Sequence, residues 1–373
     1  MSDVSDGVRC MQMRGGSSKG AYFLASDLPA DPDARADLLL RIMGSPDERQ
    51  VDGIGGGHPL TSKVAVVNRS TDDGADVEYL FLQVVPDRAI VTDAQTCGNL
   101  LAGVGPFAIE RGLVAASGET TDVRIRIMNP AIGYARARIS TPAGRVRYAG
   151  ETVMAGAPFP AAPIEIVFPG TGRPVFPTGR LVDRFAGIEA TCVDAGMPVV
   201  LVRAGDLGLD GTEPPATLED SAIHSIVEEM RREAGPAMGL GDVTDTTVPK
   251  ITIVSPPRHG GTVTTRTFIP HRVHAAIGVL GAVSVAAGVR TAGTVAASWS
   301  RPPSPTRSMS RSAAPFAPPS QLVRIEHPTG TFDVSVELDG TGPQTALRTS
   351  TVIRTARKLS DGLVWPRTGK ATG

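Results

Sequence analysis

Two stretches of this chain, residues 100–109 and 275–289, are apolar on every side and rich in small residues, among them Ala102, Gly103, Gly105 and Ala108. A helix with no polar face has to be enclosed by the rest of a protein. Neither run reaches the ~20 residues that a bilayer crossing takes. Each helix therefore needs a protein wrapping, and the flanking sequence supplies it. Residues 64–67, 77–85, 123–127, 135–139 and 144–148 are short β-branched or alternating runs, several with arginine on the outer face. Residues 250–254, 262–268, 322–326 and 331–338 repeat that character in the second half. Exposed helices are expected at 31–43 and 220–234. The pattern predicts an α+β fold of two similar domains, each a curved, mostly antiparallel β-sheet wrapped around a central buried helix.

A chain of 373 residues, 41% hydrophobic and 20% charged, is long enough for two such cores. The first domain is expected at 8–185, completed by the last strand near 350–365. The second is expected at 186–349, with the break near 179–189. Residues 298–320 are dominated by Pro, Ser and Arg, which predicts a solvated loop. The tail after Val364 is expected to be loose.

Composition excludes some partners. With 37 Lys and Arg against 38 Asp and Glu, nothing favours nucleic acid or an anionic membrane. Cys10, Cys97 and Cys192 are far apart, and no Cys-x-x-Cys pair occurs. With no basic and apolar leader at Met1-Ser-Asp-Val-Ser-Asp-Gly7, this predicts free thiols and a cytoplasmic protein.

Four motifs carry candidate chemistry. Asp93-Ala-Gln-Thr-Cys97-Gly98-Asn99 delivers a cysteine to the start of the first buried helix. Free N–H groups and the helix dipole favour a thiolate there, and can also receive a substrate carboxylate. The plain alternative is a cysteine that only packs. Met13-Arg14-Gly15-Gly16-Ser17-Ser18-Lys19-Gly20 suits an anion, or is simply a glycine turn between strands. Asp52-Gly53-Ile54-Gly55-Gly56-Gly57-His58-Pro59-Leu60-Thr61-Ser62-Lys63 repeats the hydroxyl-Ser-Lys ending just before a strand, where a lysine alone would read as solvated. Arg266-Thr-Phe-Ile-Pro-His271-Arg272-Val-His274 precedes the second buried helix, but no further ligand completes a metal site with His271 and His274. No dinucleotide loop, Walker lysine or Gly-x-Ser-x-Gly elbow is present.

The motifs at 13–20, 44–47, 50–56, 61–63, 97–99, 194–198 and 268–274 resemble, in order, the 2-methylaconitate isomerase family. The likeness runs over about 8–292 and resumes at about 324–362, while the stretch from 290 to 320 departs from it. The resemblance implies a diaminopimelate epimerase-like fold and proton transfer at carbon, with no cofactor and no metal. Cys97 matches the first of two epimerase cysteines; the second position, near 275–278, has none. Lys63 matches a lysine that works beside the cysteine. The implied chemistry is asymmetric, with Cys97 favoured as base and Lys63 as acid or dienolate stabiliser. Ser17, Ser18, Lys19, Gly98, Asn99, Met197, Arg266, Arg272 and His274 are the implied substrate-binding residues. The expected reaction is keto–enol tautomerisation of an unsaturated oxo-tricarboxylate in bacterial aromatic degradation. Alternatives are cis–trans or Δ-isomerisation of a methylaconitate-type acid, or organic-acid binding without turnover. The expected partner is that small acid, with a homodimer as the possible assembly.

Overall fold

A computed structural model describes residues 7–130, 132–219, 222–244, 246–269, 272–299 and 321–370. The chain divides into two units, Met1–Ile166 with Arg354–Gly373, and Val167–Ile353. The first unit carries strands β1 (Val8–Gly15), β2 (Ser18–Leu24), β3 (Lys63–Arg69), β4 (Val77–Val84), β5 (Val91–Thr92), β6 (Thr120–Ile127) and β7 (Gly133–Ser140), and helices α1 (Pro32–Met43) and α2 (Gly98–Glu110). β8 (Pro163–Pro169) straddles the division. The second unit carries β9 (Asp183–Phe185), β10 (Ile188–Asp194), β11 (Pro198–Arg203), β12 (Lys250–Ser255), β13 (Val263–Phe268), β14 (Leu322–His327) and β15 (Gly330–Asp339). Its helices are α3 (Pro215–Glu219), α4 (Ala222–Ala237) and α5 (Val279–Arg290). β16 (Ala346–Val364) pairs with β15 through its first part and antiparallel to β1 through its last.

Each unit mixes antiparallel and parallel pairs in one order. β1–β2 is antiparallel, β2–β3 parallel, β3–β4 antiparallel, β4–β6 parallel and β6–β7 antiparallel. β10–β11, β11–β12, β12–β13, β13–β14 and β14–β15 follow the same succession. A parallel pair needs a long crossover. α1 lies within the first crossover of its unit and α2 within the second; α4 and α5 hold the same places in the other.

Alternation along the strands makes two cores in the first unit. Val8, Cys10, Ala21, Phe23, Val64, Val66, Leu82 and Val84 pack with the α1 residues Leu38, Leu39, Leu40, Ile42 and Met43. α1 starts where Asp31 accepts a hydrogen bond from Ala34 N at 2.8 Å with Pro32 at its first turn, and ends at Gly44 with φ 85°. The opposite faces enclose α2, buried from Leu100 to Ala108. The Phe107 ring lies 5.8 Å from the Tyr22 ring. Gly103 is required because a Cβ there would overlap the Tyr22 hydroxyl. In the second unit Val227, Met230 and Ala234 of α4 pack on Cys192, Val200, Val202, Ile251 and Ile253. There Arg231 is fully buried, donating to Val243 O at 2.7 Å and pairing with Glu228, whose carboxyl it holds down at about 2.

Several expectations change. Residues 167–185, expected in the first domain, bond within the second unit: Gly170 N donates to Arg348 O and Val175 N to Thr345 O, both at 2.8 Å. Residues 144–148 are not a strand, because Pro142–Gly144 forms a tight turn with Ala143 at φ 53°. The second buried helix starts at Val279 rather than 275, because His274 Nδ1 accepts from Ala276 N at 2.9 Å and holds a turn there. The tail is tied down, since Arg41 Nη1 donates to Arg367 O at 3.1 Å. The loop expected at 298–320 lies outside the described residues from 300 onward. Among the described residues, no helix is long and apolar enough to cross a membrane.

The two enclosed helices tolerate alanine differently. Gly103→Ala is expected to cost about 1–3 kcal/mol through overpacking against Tyr22. Gly281→Ala in α5, whose Cβ would meet nothing nearer than 4.0 Å, is expected to gain about 0.5–1 kcal/mol. Urea unfolding midpoints of the two variants measure the contrast.

Candidate active site

Lys63 opens β3, and the strand's alternation decides where it points. Val64 and Val66 face α1, so Lys63 and Ala65 face α2. The register sets Lys63 beside Gly20 of β2 and Gln83 of β4. Gly20 lies against α2, where a Cβ would stand 2.8 Å from Leu100 Cδ2. Cys97 is the residue immediately before α2, extended at φ −131° and ψ 99°, and its side chain caps no helix N–H. The two meet inside the unit: Lys63 Nζ lies 3.5 Å from Cys97 Sγ and 5.2 Å from the Phe81 ring centroid. Both residues are under one-tenth exposed, at 8% and 7%. Among the described residues no carboxylate pairs with Lys63. The ammonium's close polar partner is thus a thiol.

Tyr79 Oη donates to Cys97 O at 3.1 Å, and Tyr22 Oη donates to Leu100 O at 2.6 Å. Burial pushes both phenols well above their ordinary range, so they remain neutral donors. Asn129 holds the arm that leads to the cysteine. Its Oδ1 accepts from Phe81 N at 2.9 Å, and its Nδ2 reaches Asp93 O at 2.7 Å and Gln95 O at 2.8 Å. Burial raises Cys10 to about 12 and pushes Cys192 up as well, so both stay protonated near neutral pH.

The Gly15-Gly16-Ser17-Ser18 motif is the turn between β1 and β2. Gly16 has φ 52°, and a Cβ on it would overlap the Asn99 amide, so two glycines let the turn lie against the head of α2. Arg14 Nη1 donates to Gly16 O at 2.7 Å, and Gly16 N to Thr355 O at 2.9 Å. Asn99 Nδ2 donates to Ser17 Oγ at 3.1 Å. Ser18 shares the strand face of Gly20 and Lys63; it is buried, and its hydroxyl has no hydrogen-bond partner. A buried polar atom without a partner costs about 1–3 kcal/mol, and a ligand oxygen would satisfy it. The N–H groups of Gly98 and Asn99, in the first turn of α2, have no intrahelical acceptor.

A second support lies under Lys63. Gln50 is buried with φ 49°. Its Oε1 accepts from Ser62 Oγ at 2.5 Å and Gly57 N at 3.0 Å, and its Nε2 donates to Ser45 Oγ at 3.1 Å. Gln83 Nε2 donates to Ser62 O at 3.0 Å. These bonds fix the residue that precedes Lys63.

The sequence-derived set is therefore divided. Cys97, Lys63, Ser17, Ser18, Gly98 and Asn99 cluster around the head of α2. Lys19 does not, because alternation turns it to the other face of β2, where a Cβ on Gly56 would lie 3.3 Å from its Nζ. In the second unit, Arg266 pairs with Ile253 and shares its α4-facing side. Its Nε donates to Glu213 O at 2.7 Å and its Nη1 to Thr265 O at 2.9 Å, so it acts as a strut. Met197 lies in the β10–β11 turn, its carbonyl accepting from Ser284 Oγ of α5 at 2.7 Å. Arg272 is exposed. His274 is half-buried; burial first, and the Lys250 ammonium second, push its imidazole below the ordinary range. His271 lies outside the described residues. Among those described, no group of three or more His, Cys, Asp or Glu could hold a metal ion. Sequence reading missed Tyr79, Asn129, Gln50 and Lys250. Only Lys250 left a signal: like Lys63, it opens a β-branched run.

A 4-oxalomesaconate tautomerase of Pseudomonas putida is 49% identical over 96% of this chain and 95% of its own length. A (4E)-oxalomesaconate Delta-isomerase of Novosphingobium sp. is 49% identical over 96% of this chain and 98% of its own. The crystal structure of a methylitaconate-delta-isomerase superposes with a TM-score of 0.81 at 29% identity, covering 96% of this chain and 95% of that one. The family described as PrpF protein matches residues 6–367. With that match and relatives near half-identical along their whole length, this chain belongs to the PrpF protein family.

Proposed function

We propose that this chain is an isomerase that interconverts keto and enol 4-oxalomesaconate, with Lys63 and Cys97 as its proton-transfer pair. The observation that carries the reading is the 3.5 Å approach of Lys63 Nζ to Cys97 Sγ at the head of α2. It is supported by two relatives at 49% identity, both named for that compound. The two units, Met1–Ile166 with Arg354–Gly373 and Val167–Ile353, read as two copies of one helix wrapped by a sheet, correspond to a diaminopimelate epimerase-like fold.

The chemistry follows from the carbon acid. A proton on the carbon beside the ketone is acidified because the electron pair left behind spreads over a dienolate. Cys97 as thiolate takes that proton. Lys63 as ammonium faces the developing negative charge and returns a proton to the dienolate. Protonation on oxygen gives the enol; protonation at the far carbon would move the double bond. The order is favoured by charge, since a tricarboxylate stabilises the cationic form of a nearby lysine and works against a neutral-lysine base. The Ser18 hydroxyl, the Ser17–Asn99 pair and the Gly98 and Asn99 N–H groups hold carboxylate oxygens. A base and an acid of this kind each contribute about 10²–10⁴-fold.

An ultraviolet assay with keto 4-oxalomesaconate tests this, run beside 2-methylaconitate and methylitaconate. The expected result is rapid enol formation, with kcat lowered about 10²–10⁴-fold in Cys97→Ala and in Lys63→Ala. No acceleration over buffer, or turnover of the methylated acids alone, would replace the proposed substrate. Gln50 gives a separate check on positioning. Gln50→Ala and Gln50→Gly are both expected to lower kcat about tenfold or more, as small displacements of a reacting group do. If the left-handed backbone at residue 50 were all that mattered, glycine would restore activity.

A further inference from the structure

Lys250 is the second unit's counterpart of Lys63. Each lysine opens the third strand in the shared succession of pairings, and each has a parallel neighbour, Gly20 for Lys63 and Val199 for Lys250. In β12, Ile251 and Ile253 pack in the α4 core, so Lys250 and Thr252 face the other way. Val199 and Leu201 lie beside them, and Leu201 packs at Gly288 of α5. Lys250 thus faces the enclosed helix of its unit, as Lys63 does in the first. It is half-buried, and among the described residues its ammonium makes no hydrogen bond or ion pair.

His274 approaches the same place. Its backbone N donates to Thr267 O at 2.8 Å. Thr267 stands cross-strand from Thr252, their hydroxyls 3.0 Å apart. His274 Nδ1 accepts from Ala276 N, so in the neutral ring Nε2 carries the proton. Burial and the Lys250 charge favour that neutral form. Burial likewise works against the charge on Lys250. An ammonium and an imidazole N–H, both half-buried and, among the described residues, both short of acceptors, are a costly arrangement unless an anion completes it.

We propose that Lys250 and His274 form a carboxylate-binding pair, with the lysine supplying charge and His274 Nε2–H a directed hydrogen bond. The identity of the carboxylate as part of an unsaturated tricarboxylate rests on the function proposed above; the pair itself does not.

Tricarballylate, a saturated tricarboxylate with no bond to isomerise, separates binding from turnover. Isothermal titration of the full chain is expected to give a Kd raised about tenfold or more in Lys250→Met. Affinity is expected to be largely kept in Lys250→Arg. His274→Asn, which retains an acceptor for Ala276 N but loses the Nε2 donor, is expected to weaken binding about several-fold. The melting temperature of Lys250→Met is expected to match or exceed that of the parent, since an uncompensated charge is removed. Unchanged binding in Lys250→Met overturns the pair, as does a lowered melting temperature with binding retained. Absence of binding by the parent chain at millimolar tricarballylate overturns it too. If 4-oxalomesaconate is not turned over while tricarballylate binding still depends on Lys250, the proposed reaction falls and the pair stands.

Discussion

An ammonium held 3.5 Å from a thiol, under one-tenth exposed and, among the described residues, with no carboxylate beside it, is the contact on which the proposed chemistry depends. Such a contact is expensive to build in a protein interior, because a buried charge needs partners. Here the partners come from the fold. The parallel pairing of β2 with β3 fixes the register at Lys63. The enclosure of α2 fixes Cys97 at its head, and Phe81 covers the lysine. A slip of one residue in β3 would exchange Lys63 for Val64 and dismantle the site.

The supports around that contact act mainly through backbone atoms. Tyr79 and Tyr22 hold carbonyls at the start of α2, Asn129 holds the arm before it, and Gln50 with Gln83 holds Ser62. Each lies far in sequence from what it positions. By contrast, the Ser18 hydroxyl is left without a partner at the same head of the helix. In the proposed reaction a ligand oxygen would satisfy that hydroxyl.

The sequence made much of this legible, for physical reasons. Cys97 and the enclosed helices were visible because an all-apolar run of small residues can only be wrapped. Lys63 was singled out by the second hydroxyl-Ser-Lys ending, before a strand, and its place beside the cysteine was implied only by the family resemblance. The faces of strands were not visible. Lys19 and Arg266 looked like anion clamps by residue type, yet strand register turns both away from their enclosed helices. Nor does a sequence show that residues 167–185 bond to 345 and 348, since such pairings depend on contacts distant along the chain. Asn129 was silent because an amide that bonds to main chain leaves no residue-type signal, and Gln50, though it opens the 50–56 motif, showed no role there because its partners Ser45, Gly57 and Ser62 are set by the folded loop. Lys250 could have been found by asking which residue of the second half stands where Lys63 stands in the first.

The division of labour between Cys97 and Lys63 is the central claim, and proton NMR in D2O tests it most directly. Keto 4-oxalomesaconate is incubated with the parent chain, Cys97→Ala and Lys63→Met, and solvent deuterium is followed into the substrate carbon beside the ketone. With Cys97 as base, that exchange is lost in Cys97→Ala and persists in Lys63→Met, where product formation fails. Exchange that persists without Cys97 and disappears without Lys63 would contradict the account.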